Sequence, residues 1–182
     1  MASRSPRRAR LLRAAGYRFA VRRPHVDETL SPGELPAHAA ERLAVAKAIE
    51  VAARCPGARV LGADTIVVVD RAALGKPADA AEARRMLRRL SGRTHRVVTA
   101  LALCEPAGGV VRSDRAITRV TFKRLSRREL EWYVATGNPL DKAGAYGIQE
   151  GAGLFVTGIR GSYTNVVGLP LELAYRMLGL PG

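Results

Sequence analysis

The stretch Val60-Leu61-Gly62-Ala63-Asp64-Thr65-Ile66-Val67-Val68-Val69-Asp70 constrains this chain more than any other. Its apolar, β-branched residues run on without alternating, the pattern of a strand covered on both faces. A carboxylate inside such a strand is costly unless a cation, a metal ion or several donors match it, or its pKa rises. Asp64 therefore has two readings: it caps a turn, or it is a functional acid served by cations elsewhere. Lys76, in Gly75-Lys76-Pro77, joins an arginine pair and two more lysines described below in favouring the second.

At 182 residues the chain is long enough for one sizeable core and at most two lobes. No apolar run approaches the roughly 18 residues that span a bilayer. The arginines near the start are not followed by an apolar signal core, so a cytoplasmic protein with no membrane partner is expected. Cys55 and Cys104 lack the spacing of a ligand pair and read as small apolar side chains. A net charge of +14 invites a nucleic-acid partner. However, 26 of the 30 cations are Arg, spread with Ala over the whole chain. Compositional bias explains that as well as a binding face does. The four positions that kept Lys are Lys47, Lys76, Lys123 and Lys142, and a compact ammonium does not substitute freely for a planar guanidinium.

Ser5-Pro6 through Gly16 has the punctuation of a helix, with Ser5 as N-cap and Gly16 past the end. Arg7 and Arg8 fall in its first turn, where cations oppose the helix dipole. A bound anion would reverse that penalty and make the pair a phosphate cradle; a solvated arginine face is the alternative. Tyr17 to Arg23 reads as a strand ending in the loop His25-Val26-Asp27-Glu28, whose two acids either ligate a metal or offset nearby arginines. Pro36 to about Arg54 reads as an Ala-rich helix. On it Lys47 lies on or beside the apolar stripe, where snorkelling is the usual explanation. Asp79 and Ser126 each open a helix in capping-box form, running to Leu90 and Gly137. Arg93 to Cys104 and Val110 to Phe122 read as a long hairpin around Pro106-Ala107-Gly108-Gly109. Asn138 to Gln149 is a loop running into a short strand that resumes at Leu154-Phe155-Val156. Arg160 to Asn165 turns, and Leu169 to Leu178 is the closing helix. This order predicts a single α/β catalytic domain, residues 1–182, with a long curved mixed sheet flanked by helices on both faces and two lobes around a cleft.

P-loop, GxGxxG, zinc-spaced Cys/His and GxSxG patterns are all absent. What remains is a set for an anionic ligand: Arg7, Arg8, Lys47, Lys76 and Lys142 with Glu28, Asp64 and Asp141. Such an inventory suits a triphosphate with a divalent ion, because Mg²⁺ uses one or two carboxylates plus phosphate oxygens.

At these residues the chain resembles the Maf family of nucleoside triphosphate pyrophosphatases. The likeness runs through Ala2-Ser3-Arg4-Ser5-Pro6-Arg7-Arg8, Gly62-Ala63-Asp64-Thr65, Lys76-Pro77, Ser91-Gly92-Arg93-Thr94-His95, Asp141 to Gln149, and Gly161 to Pro170. It implies hydrolysis between the α- and β-phosphates, with Asp64 as the proton acceptor that activates water, near a bound Mg²⁺ or Mn²⁺ held by Asp64 and Glu28. By the same likeness Ser3, Arg7, Arg8, Lys47 and Lys76 hold the triphosphate. Glu28 assists, Arg7, Thr65 and Gln149 choose the base, and Asp141 and Lys142 belong to the substrate loop. The form Gly144-Ala145-Tyr146-Gly147-Ile148-Gln149 resembles the dTTP/UTP branch rather than the 7-methyl-GTP branch. A pyrimidine imide presents two carbonyls around one N–H, which the amide of Gln149 can meet with donor and acceptor.

The resemblance also implies a homodimer. Nucleic acid is a compatible but not a required partner. Three departures stand out. The family's short apolar strand before Ala2-Ser3 is missing, so either Met1 occupies an internal position of a longer strand or the sheet lacks an element. Glu150 and Asn138 replace a usual Gly and Glu. The competing readings are a preference for 7-methyl-GTP or another modified nucleotide, and a basic nucleic-acid-binding or cell-division regulator.

Overall fold

Strand β1, Val60–Val69, is buried along its length except at half-buried Thr65, and the other strands assemble around it. In this computed structural model, which describes residues 1–106 and 111–182, the sheet order is β2-β1-β3-β4-β5. The remaining strands are β2 Ala72–Leu74, β3 Thr94–Cys104, β4 Val111–Phe122 and β5 Val156–Arg160. The β1–β2 and β4–β5 pairs are antiparallel, in register at Val67 with Leu74 and Val120 with Ile159. A two-residue turn closes β1 onto β2, with Asp70 and Arg71 both at positive φ, 50° and 65°, the handedness that suits a twisted hairpin. The expected turn between β3 and β4, from Ala107 to Gly109, lies outside the described residues.

Helices follow their caps. α1 is Pro6–Ala14, with the Ser5 side chain accepting from the Arg8 N–H; α2 is Pro36–Ala53; α3 is Ala80–Leu90, capped by Asp79. α4 is Arg127–Ala135 behind a complete Ser126/Glu129 capping box. Two short helices close the chain, α5 Tyr163–Val167 and α6 Leu171–Leu178. Among the described residues no helix is long and apolar enough to cross a membrane.

The structure corrects several sequence expectations. Tyr17–Arg23 is not a strand. It contributes only an isolated bridge, where Arg22 pairs with Ala2, and Ala2 also bridges Gly62 of β1 in parallel. Hydrogen bonds from the Ala2 N–H to the Leu61 carbonyl (2.8 Å) and from the Ser3 N–H to the Arg22 carbonyl (3.1 Å) hold this start in place. Asn138 to Ala145 forms two 3₁₀ turns rather than leading into a strand. Ala152–Phe155 is a third, so β5 begins only at Val156. The expected turn after Arg160 contains α5. Cys55 and Cys104 are free, and Cys104 is buried as expected while Cys55 is half-buried.

The chain divides into two compact units: Met1–Thr65 with Thr99–Ala116 and Gly168–Gly182, and Ile66–Val98 with Ile117–Val167. In the first, Leu12 of α1 and Leu173 and Met177 of α6 pack with Leu61, Ala63, Leu101 and Leu103 of β1 and β3. In the second, Val67 and Val69 pack with Leu87, Leu90, Phe122, Tyr133, Tyr146 and Phe155.

Candidate active site

Within the first unit the geometry begins at Gly62. A Cβ there would lie 2.3 Å from the Ala44 carbonyl oxygen and 2.8 Å from the Ala48 nitrogen, so only glycine lets α2 come this close to β1. Side chains two apart on a strand share a face, which turns Asp64 toward the same helix. Lys47, on the turn between Ala44 and Ala48, donates from Nζ to Asp64 Oδ1 at 2.6 Å. It also pairs with Glu28 Oε1 at 2.7 Å. Lys47 does not snorkel; it is 4% exposed and joins two carboxylates, of which Asp64 is 8% exposed. The requirement that β1 placed on Asp64 is met by an ammonium rather than by a guanidinium.

The loop bearing Glu28 is tied to α2 as well. The His25 N–H donates to Glu50, and Arg42 donates to the Thr29 carbonyl and to Glu34. Of the two adjacent acids, Asp27 folds the loop by accepting from the Thr29 N–H and hydroxyl, which hold its carboxyl below its usual pKa. Glu28 reaches Lys47.

Arg8 engages β1 beside the Asp64 pair. It donates from Nε to the Gly168 carbonyl at 2.7 Å, and through its terminal nitrogens to the Ala63 carbonyl and the Thr65 hydroxyl, both at 2.8 Å. A longer contact reaches Ser3 Oγ, which also accepts from the Ser5 N–H. Burial lowers the Arg8 pKa while the nearby Asp64 carboxylate raises it, and a guanidinium stays charged throughout. Thr65 passes the chain of hydrogen bonds to Thr99 of β3 at 2.9 Å. Arg7, the other member of the pair, is half-buried in the first turn of α1.

The second unit holds the remaining candidates. Lys76 is exposed just after β2, and the Gly75 carbonyl accepts the Gly144 N–H at 2.9 Å, which places the Lys76 segment against the 142–149 loop. Gln149 is exposed on that loop. Where the sequence reading expects Lys142 and Asp141 on substrate, the structure places the Lys142 ammonium on three protein acceptors: Asp141, Glu150 and the Asn138 carbonyl. His95 and Tyr146 share a buried hydrogen bond of 2.8 Å behind the loop. Burial pushes His95 down to about 4 and raises the Tyr146 hydroxyl, so both are neutral near pH 7.

Sequence reasoning missed Thr99, the Gly168 carbonyl and the Glu150 carboxylate as partners. Each lies far along the chain or outside any charge pattern of its partner. Only Gly62, directly within the Asp64 motif, carried a local signal. As donors for a hard cation, the residues at this point are two carboxylates. Among the described residues no three His, Cys, Asp or Glu side chains gather into a cage, and Asp64 and Glu28 converge on the Lys47 ammonium that lies between them.

A sheet-centred α/β protein that sets a buried acid on β1, with the Lys47 ammonium and the Arg8 guanidinium beside it, carries the kind of charged groups that recognise phosphorylated ligands. The chain belongs to the Maf-like protein family, whose model matches residues 1–180. Among similar proteins, one from Symbiobacterium thermophilum is 53% identical over 98% of this chain and 91% of its own length. Those from Koribacter versatilis and Myxococcus xanthus are 51% and 50% identical over all of this chain and 93% and 92% of their own lengths. All three bear the name dTTP/UTP pyrophosphatase.

Proposed function

We propose that this chain is a nucleoside triphosphate pyrophosphatase that cleaves dTTP and UTP between the α- and β-phosphates, in a cytoplasmic role of cleansing the nucleotide pool. The Lys47-bound Asp64 carboxylate is the observation that carries this reading, and the shared family and the relatives' name support it. Asp64 takes a proton from water as the water oxygen bonds to the α-phosphorus. The bond to the bridging oxygen breaks with its electron pair leaving on pyrophosphate, and the nucleoside monophosphate remains. Lys47 aims Asp64 through their ion pair, and Glu28 fixes Lys47 from the other side. Lys76 and Arg7 supply positive charge to the phosphates. Arg8 and Ser3 hold Thr65 and the start of α1 in position, and Gln149 meets the base. Asp141 and Lys142 serve from the loop that carries Gln149. A divalent cation, Mg²⁺ or Mn²⁺, would be held by Asp64 and Glu28 and would neutralise charge on the phosphate oxygens. A homodimer accompanies this reading.

The test is a panel of canonical and modified triphosphates incubated with metal-replete protein. Pyrophosphate release is expected from dTTP and UTP, falling by at least about 10²-fold in Asp64→Asn. A wild-type protein inert on every triphosphate contradicts the reading. Salt-sensitive DNA binding unchanged in that variant, without turnover, would instead support a nucleic-acid-binding protein.

A further inference from the structure

Lys142 is 4% exposed, in a segment whose neighbours Asp141 and Gln149 face solvent. A lysine ammonium has three donors. Here they meet the Asn138 carbonyl at 2.6 Å, the Asp141 carboxylate and Glu150 Oε2 at 2.6 Å. Asn138 and Glu150 are the two ends of the segment, and they are linked a second time, the Asn138 side-chain amide donating to the Glu150 carbonyl at 3.3 Å. The lysine stem passes close over residue 147: a Cβ on Gly147 would lie 2.6 Å and 2.8 Å from the Lys142 Cε and Cδ, so a side chain there would shift the ammonium. The Gly147 N–H in turn donates to the Tyr133 hydroxyl at 2.9 Å inside the core. Gln149 therefore sits between two anchored positions, Gly147 and Glu150.

Resting on the reading above, in which Gln149 meets the base, we infer that Lys142 and Glu150 are positioning residues for nucleotide selectivity. Their ion pair closes the 138–150 loop and holds Gln149 in the pose that discriminates bases before any nucleotide arrives. Preorganisation of this kind lowers the ordering cost for the matching ligand and leaves a mismatched base with unpaired polar groups. Neither residue touches the reacting phosphates in this account, so the effect falls on KM and on discrimination rather than on kcat.

The experiment compares wild type with Glu150→Gln, which removes the charge at nearly constant size, and with Glu150→Asp as the conservative variant. Amide hydrogen exchange over residues 138–150 is followed without nucleotide, and kcat and KM are measured for dTTP, UTP, CTP and GTP. Exchange in this segment is expected to quicken by about tenfold in Glu150→Gln, the KM for dTTP to rise by about tenfold with kcat within about twofold, and discrimination against GTP to fall. Glu150→Asp should recover part of each. Exchange and selectivity unchanged in Glu150→Gln overturn the inference. If wild type hydrolyses no triphosphate, the base-reading role fails and the selectivity claim falls with it, while the exchange comparison still decides whether the ion pair closes the loop.

Discussion

At the scale of single residues, the two carboxylates on Lys47 are unequal. Lys47 and Asp64 side chains are 6% and 11% exposed, whereas Glu28 is 43% exposed. An ion pair out of water is strongly coupled, because removing one partner leaves a buried charge, and an exposed pair contributes little. Lys47→Met should therefore cost about 3 kcal/mol of stability and Glu28→Gln less than about 1 kcal/mol, read from urea midpoints. Equal losses would show that the burial difference does not govern this triad. Functionally both variants should slow turnover, since each disturbs the aim of Asp64.

At the scale of elements, Gly62 sets how closely α2 lies against β1. Gly62→Ala must push α2 away from the strand, and Lys47 moves with it. The expected result is a loss of about 1–3 kcal/mol in stability together with a fall in kcat, measured by thermal melting and steady-state assay. Full activity with unchanged stability would contradict the close-approach account. The hairpin after β1 offers the opposite case. Asp70 and Arg71 both hold positive φ, which glycine and asparagine adopt more readily, so Asn-Gly at these positions should raise stability by about 1 kcal/mol in the same melts, less the lost Asp70–Arg93 ion pair.

Elements written in local chemistry were legible. Ser5, Asp79 and Ser126 cap the helices they were expected to cap, and the uninterrupted apolar run is the covered strand β1. Elements that depend on distant partners were not. Tyr17–Arg23 alternates like a strand but finds pairing only at Arg22, and residues 138–145 fold into 3₁₀ turns around a lysine whose acceptors no periodicity announces. The acids and cations of the candidate site were readable by type. That Lys47 joins Glu28 to Asp64, and that Arg8 is engaged by Gly168, Ala63 and Thr65, required the fold.

At the scale of the whole molecule, pH acts through a histidine that stays neutral. His95 is 1% exposed and burial lowers its pKa to about 4, against about 6.5 in the unfolded chain. The unfolded state binds the proton first, so this contribution to stability is complete above about pH 6.5 and is lost as pH falls toward 4, on the order of 3 kcal/mol in all. Urea midpoints taken from pH 7.5 down to 4.5 should drop more steeply in wild type than in His95→Gln; parallel curves would contradict it. The charge of +14 is carried by arginines distributed over both units and partly neutralised in pairs such as Arg84–Glu131 and Arg115–Glu41. The central claim, that water attacks the α-phosphorus, is tested most directly by hydrolysing dTTP in ¹⁸O-labelled water and weighing the products. The account predicts the label in the nucleoside monophosphate; label in the pyrophosphate would contradict it.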